Sequence, residues 1–172
     1  MPRLLVSPLS SLEEAIAAHA PSHLVSLLSP EHMIETPAGF PASRHLKLGL
    51  NDIVDPAAGT APPGRAHIDA LLEFSRGWDA RQPLLIHCWA GISRSMASAF
   101  TILCDRLGED REIEIARAMR KRAPHAQPNR LLVRHADEAL GRDGRMLAAL
   151  NTMGPPLVVE EGVTTAFPLV GL

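Results

Sequence analysis

At 172 residues the chain suits one domain with a sizeable core, and 46% hydrophobic with 21% charged residues is an ordinary globular composition. The formal net charge of −2 supplies no general electrostatic reason to bind nucleic acid or an anionic membrane. No apolar stretch approaches the ~20 residues of a membrane span, Glu13 and Glu14 interrupt any secretory signal early, and two cysteines are too few for a disulfide framework, so a cytoplasmic location is expected.

In chain order, RLLVS (3–7) reads as a strand. Ser10-Ser11-Leu12-Glu13-Glu14 offers a capping box, and LEEAIAAH continues at helical spacing. HLVSLLS (23–29) is a second apolar strand, and RHLKLGL (44–50) alternates as a half-buried strand should. Pro62-Pro63 open a helix with Ile68, Leu71, Leu72 and Phe74 on one face and Gly77 near its end. PLLIHC (83–88) is apolar throughout, which predicts a central strand.

From Ser95 to Leu107 the chain is apolar on nearly every face, predicting a buried helix closed by Gly108. An amphipathic helix over 111–123 stops at Pro124, another runs from Asn129 to Leu140, and a short turn is expected near 146–150. These segments predict one α/β domain over 1–150: a central, mostly parallel sheet of four or five strands flanked by helices, with a helical second half. Residues 151–172, with Gly154-Pro155-Pro156 and Pro168, are expected as a tail that packs in extended form or is disordered.

The chemistry concentrates in LLIHCWAGISRS (84–95). Cys88 ends the central strand, and ligands of α/β sheets bind beyond the carboxyl ends of strands. The short loop and the helix start after it can turn several backbone N–H groups onto one point, a nest that favours negative charge and hence the thiolate. Gly91 permits a tight curve closed to other residues. Arg94 presents a planar fork matched to two phosphate oxygens. A thiolate beneath a bound tetrahedral oxyanion is placed to attack phosphorus.

HCWAGISRS resembles the HCxxGxxRS signature of the cysteine-dependent protein tyrosine phosphatase superfamily, nearest its small dual-specificity-like members of bacterial type. LGLND (48–52) resembles the stretch that supplies the general acid, and Gln127-Pro128-Asn129 resembles a motif that begins a late helix near the loop. The likeness runs from about Arg44 to Leu140. It implies a phosphatase, tyrosine-directed or dual-specific, working through a phosphocysteine on Cys88 without metal or other cofactor. The loop Trp89, Ala90, Gly91, Ile92, Ser93 and Arg94 would bind the phosphate, and Ser95 would ease departure of the sulfur. His87 would tune the thiolate from behind. Asp52 matches the acid position and is favoured over Asp55, which stands three residues later. The expected partner is a phosphorylated protein or a small phosphomonoester.

Other features read more simply. Arg120-Lys121-Arg122 suits a solvated helix C-terminus better than a docking patch. His19 and His23 have metal spacing, but Pro21 between them opposes a helical pair. Cys104 reads as a small buried apolar residue. Trp89 either shapes a wall of the pocket or packs beside the sheet, and Asn129 either helps order the loop or caps the helix that follows it, with capping favoured as a single role. Two competing functions remain: an inactive phosphate-binding reader, which the complete Cys88, Arg94, Ser95 set opposes, and a phosphatase of a phosphoinositide or other small ester. The second is weakened because the variable loop positions carry no positive charge.

Overall fold

The apolar runs assemble as β1 (Arg3–Pro8), β2 (His23–Leu28), β3 (His45–Gly49) and β4 (Leu84–Cys88), and a fifth strand, β5 (Thr165–Pro168), comes from the chain's last residues. The computed structural model describes residues 2–172. The sheet order is β3-β2-β4-β1-β5. The first four strands run parallel, and β5 pairs antiparallel with β1 at the edge. β4 lies between β1 and β2, where a continuous apolar run can be buried on both faces.

Side chains alternate across the sheet. Leu84, Ile86 and Cys88 join the large core, beneath α2 (Arg65–Gly77), α3 (Arg94–Leu107), α4 (Glu112–Arg122), α5 (Arg130–Leu140) and α6 (Arg145–Asn151). Leu85, with Leu5 and Leu24, packs on the opposite face in a smaller core, against α1 (Leu12–His19) and against Ile34 and Phe40 of the loop before β3. Helix α3 is buried at every position from Arg94 to Cys104, as its apolar composition predicts. It follows the loop that leaves the carboxyl end of β4 and carries the end of that loop, Arg94, into the core.

Two helix starts differ from the sequence reading. The capping box before α1 does not form: Leu9–Ser11 make a 3-10 turn and Ser11 provides no side-chain cap. Ser10 is drawn elsewhere, its Oγ donating to Glu161 Oε1 at 2.6 Å. Helix α2 begins at Arg65 rather than at Pro62. There the Gly64 N–H donates to His67 Nδ1 (3.1 Å), while His67 Nε2 faces the Gly49 carbonyl (3.1 Å), so one ring ties the helix start to the end of β3.

The segment after residue 150 does not leave the molecule. Arg120 of α4 donates to the carbonyls of Met153 and Gly154, Leu157 N–H reaches the Pro124 carbonyl at 2.8 Å, and Gly162 N–H reaches the Ala90 carbonyl at 2.8 Å. It then enters the sheet as β5. No helix is long and apolar enough, among the described residues, to cross a membrane.

Candidate active site

The loop from Cys88 to Arg94 is held from outside by its carbonyls. Those of Trp89, Ala90 and Ile92 accept from the backbone N–H groups of Leu9 (3.1 Å), Gly162 (2.8 Å) and Gln127 (2.9 Å), and that of Ser93 accepts from Asn129 (3.3 Å) and Ala97 (2.9 Å). Among the described residues, no N–H group of residues 89–93 donates to a protein acceptor. With carbonyls engaged outward and amides left free, the loop is arranged to receive an anion.

Gly91 makes this curve possible. Its φ of +70° lies in the left-handed region, and a Cβ there would stand 2.7 Å from Pro8 N and 2.9 Å from Ser7 C. Strand β1 thus runs against the back of the loop too closely for any side chain.

Arg94, at the start of α3, is 6% exposed. Its Nη1 donates to the Leu50 carbonyl at 2.9 Å, which fixes the plane of the fork. Its Nε is buried without a partner. An unmet buried donor costs about 1–3 kcal/mol, and an oxyanion beneath the guanidinium would satisfy it. Cys88 is 2% exposed, and its Sγ lies 3.1 Å from Ser95 Oγ, a hydroxyl placed to donate to sulfur. Cys104, by contrast, is wholly buried, and burial pushes its thiol far up, as expected of an inert core residue.

Asp52 follows β3 and faces the loop. Its Oδ1 accepts from Ser93 Oγ at 2.7 Å and from Asn129 Nδ2 at 2.9 Å. Asn129 also donates Nδ2 to the Ile53 carbonyl (3.0 Å) and accepts at Oδ1 from Leu132 N–H (3.0 Å). It therefore caps α5 and steers the Asp52 loop with the same amide. Asp55 is otherwise occupied, since its Oδ1 accepts from Ala57 N–H at 2.9 Å and caps the 3-10 turn Pro56–Ala58.

These groups open on a cleft of about 950 Å³ whose lining includes Asp52, Asp55, Cys88, Trp89, Arg94 and Asn129. Trp89 is 55% exposed and leans on His32, ring centroids 5.5 Å apart. It forms a wall and does not pack beside the sheet. Arg120 and Arg130 also line the cleft. Arg120 uses its donors on carbonyls at the end of α4 and in the tail, so it clamps chain segments rather than standing free in solvent.

His87 points to the opposite face of the sheet. Burial above all, opposed by its contact with the Cys88 carbonyl and reinforced by His45 and Arg94, lowers it to about 4. It therefore meets Cys88 as a neutral ring, with Nδ1 3.4 Å from the Cys88 carbonyl oxygen. Burial, with Lys47 nearby, also lowers His45 to about 4. Among the described residues, no three His, Cys, Asp or Glu side chains gather as metal ligands.

Four contributors escaped the sequence reading: Leu50 through its carbonyl, Gly162 through its amide, and Ser26 and His45 behind His87. No local spacing links any of them to the loop. The only sequence sign was Ser26 itself, a hydroxyl inside an apolar strand.

No protein-family model matches the chain, and no curated protein matches it. Solved structures do. The human tyrosine phosphatase-like serine/threonine/tyrosine-interacting protein superposes with a TM-score of 0.64 at 20% identity, over 83% of this chain and 94% of that one. DUSP15 gives 0.61 at 16% identity, over 89% of each chain. PTPMT1 in complex with PI(5)P gives 0.56 at 17% identity, over 81% of this chain and 94% of that one. The chain has the fold of the dual-specificity phosphatase-like proteins. Its predicted α/β architecture, with a central, mostly parallel sheet, is the one observed.

Proposed function

We propose that the protein is a cysteine-dependent phosphomonoester hydrolase acting on phosphotyrosine, alone or together with phosphoserine and phosphothreonine. The observation that carries this reading is the loop itself: its amides have no protein partner among the described residues, Arg94 Nε is buried and unpartnered, and Cys88 and Arg94 line one cleft. The phosphate oxygens would take those donors, and the phosphorus would face the sulfur.

Cys88 attacks as thiolate, forming an S–P bond while the P–O bond to the leaving group breaks. Asp52 gives that oxygen its proton. The loop amides and Arg94 hold the charge on the equatorial oxygens. Water then attacks phosphorus, Asp52 takes its proton, and the S–P bond breaks. Ser95 Oγ, 3.1 Å from Sγ, stabilises the departing thiolate by donating to it.

One observation favours a second substrate class. Arg130 lines the cleft outside the loop with its Nη1 on Asn151 Oδ1, so its remaining donors could meet further negative charge on a small ester, and a structural neighbour holds PI(5)P. The test is turnover of p-nitrophenyl phosphate in EDTA by wild type and Cys88→Ser. Hydrolysis by wild type alone supports the proposal. Phosphate binding without hydrolysis would make the protein a reader instead, and hydrolysis by both would remove Cys88 from the mechanism.

A further inference from the structure

On the face of the sheet opposite the Cys88 thiol, four side chains form one buried file. Thr36 Oγ1 lies 2.9 Å from His45 Nδ1, and His45 Nε2 lies 2.8 Å from Ser26 Oγ. Ser26 Oγ is 2.6 Å from His87 Nε2, and His87 Nδ1 faces the Cys88 carbonyl oxygen at 3.4 Å. Ser26 and His87 are completely buried and His45 is 9% exposed. His45, Ser26 and His87 come from β3, β2 and β4, three neighbouring strands, with Ser26 and His87 directly opposite in register, and Thr36 stands in the loop before β3.

The polarity of this file follows from counting hydrogens. Ser26 has one hydroxyl hydrogen, so it donates to one ring and accepts from the other. The two neutral rings must then be opposite tautomers. The carbonyl at the end decides which is which, because it can only accept. His87 Nδ1 carries the hydrogen and its Nε2 accepts from Ser26. Ser26 in turn accepts from His45 Nε2–H, and His45 Nδ1 accepts from Thr36. The reverse order would set the Nδ1 lone pair against the lone pairs of the Cys88 carbonyl inside a dry site.

The carbonyl's direction matters to the loop. In a trans peptide the C=O and the following N–H point opposite ways, and no peptide here is cis. Drawing the Cys88 carbonyl back toward His87 therefore turns Trp89 N–H forward, toward the anion cradle. We infer that Thr36, His45 and Ser26 are positioning residues: Ser26, donating to His87 Nε2, holds the ring in the Nδ1–H tautomer that the Cys88 carbonyl selects, and through His87 the file aims the Cys88–Trp89 peptide. Their consequence for rate rests on the proposed nucleophilic role of Cys88, but the tautomer pattern does not.

Long-range ¹H–¹⁵N correlation spectra of the full-length chain at neutral pH read the tautomers directly. His87 should be protonated at Nδ1 and His45 at Nε2. Ser26→Ala should release the His87 tautomer and lower kcat for p-nitrophenyl phosphate about tenfold, the worth of one buried hydrogen bond, with KM nearly constant. Ser26→Thr should restore both, and adding His45→Phe to Ser26→Ala should cost little more, since the file acts as a unit. Should Ser26→Ala fail to fold, Thr36→Val at the half-buried outer end should still disturb the His45 tautomer. Both rings in the same tautomer, or an unchanged kcat in folded Ser26→Ala, would overturn the inference. If wild type hydrolyses no phosphomonoester, the functional proposal falls and the spectra alone decide the file.

Discussion

Gly91→Ala separates the geometry of the loop from mere stability. The φ of +70° costs a non-glycine residue about 1–3 kcal/mol. The new methyl would also meet Pro8 N at 2.7 Å and Ser7 C at 2.9 Å. These are backbone atoms of a strand that pairs with β4 through Pro8 and with β5 through Val6, so the strand yields less readily than the loop and the loop must shift. Reaching ordinary contact near 3.5 Å requires a shift of roughly 0.8 Å. Misplacement on that scale costs about 10²-fold in rate. Gly108→Ala is the control: it has a φ of +93° and nothing within 4 Å of the added Cβ, so it carries strain without collision. In p-nitrophenyl phosphate kinetics paired with urea unfolding, both variants should lose stability. Only Gly91→Ala should lose kcat by about 10²-fold. If it stays within about threefold of wild type, under 1 kcal/mol, or if Gly108→Ala loses as much activity, the reasoning is wrong.

Asp52→Asn should lower kcat by about 10²–10⁴ and flatten one limb of the pH–rate profile. Asp55→Asn keeps an oxygen to accept from Ala57 N–H and should change stability by less than about 1 kcal/mol with activity preserved; the reverse result would transfer the acid role to Asp55. Arg94→Lys keeps the charge but loses the planar fork, so kcat/KM should fall severely and vanadate inhibition should weaken; near-normal turnover would contradict bidentate binding. Because His87 and His45 are lowered from 6.5 to about 4, the unfolded chain binds protons more readily than the folded one. Stability is therefore complete above pH 6.5 and declines as pH falls toward 4, by about 3 kcal/mol from His87 alone. Urea midpoints that stay flat over that range would refute it.

The parts of the fold visible in the sequence are those set by local physics. The runs that became β1 to β4 are apolar or alternating over five or six residues, and α3 is apolar on every face because every face is covered. Strand β5 left no such trace: TAFP is four residues long, ends in proline, and becomes a strand only because β1 has a free edge. The supposed capping box failed because Ser10 found Glu161, 151 residues away. The loop was legible because Cys88, Gly91 and Arg94 must be close in sequence to close one tight curve. Its supports were not. Ser26, His45, Leu50 and Gly162 act across strands, and the contact of Gly162 with Ala90 appears only after the tail folds back. Asp52 was favoured over Asp55 only by its match in LGLND; that Asp52 faces the loop while Asp55 caps a turn is visible only in the fold.

The most direct test of the account is to trap the intermediate. Wild type and Asp52→Asn, mixed with p-nitrophenyl phosphate and quenched in acid within the first turnovers, would be digested and mapped by mass spectrometry. The account predicts one phosphoryl group on the peptide bearing Cys88, accumulating if hydrolysis of the intermediate is the slower step, and absent from Cys88→Ser. A phosphoryl group on another residue, or sustained turnover by Cys88→Ser, would contradict it.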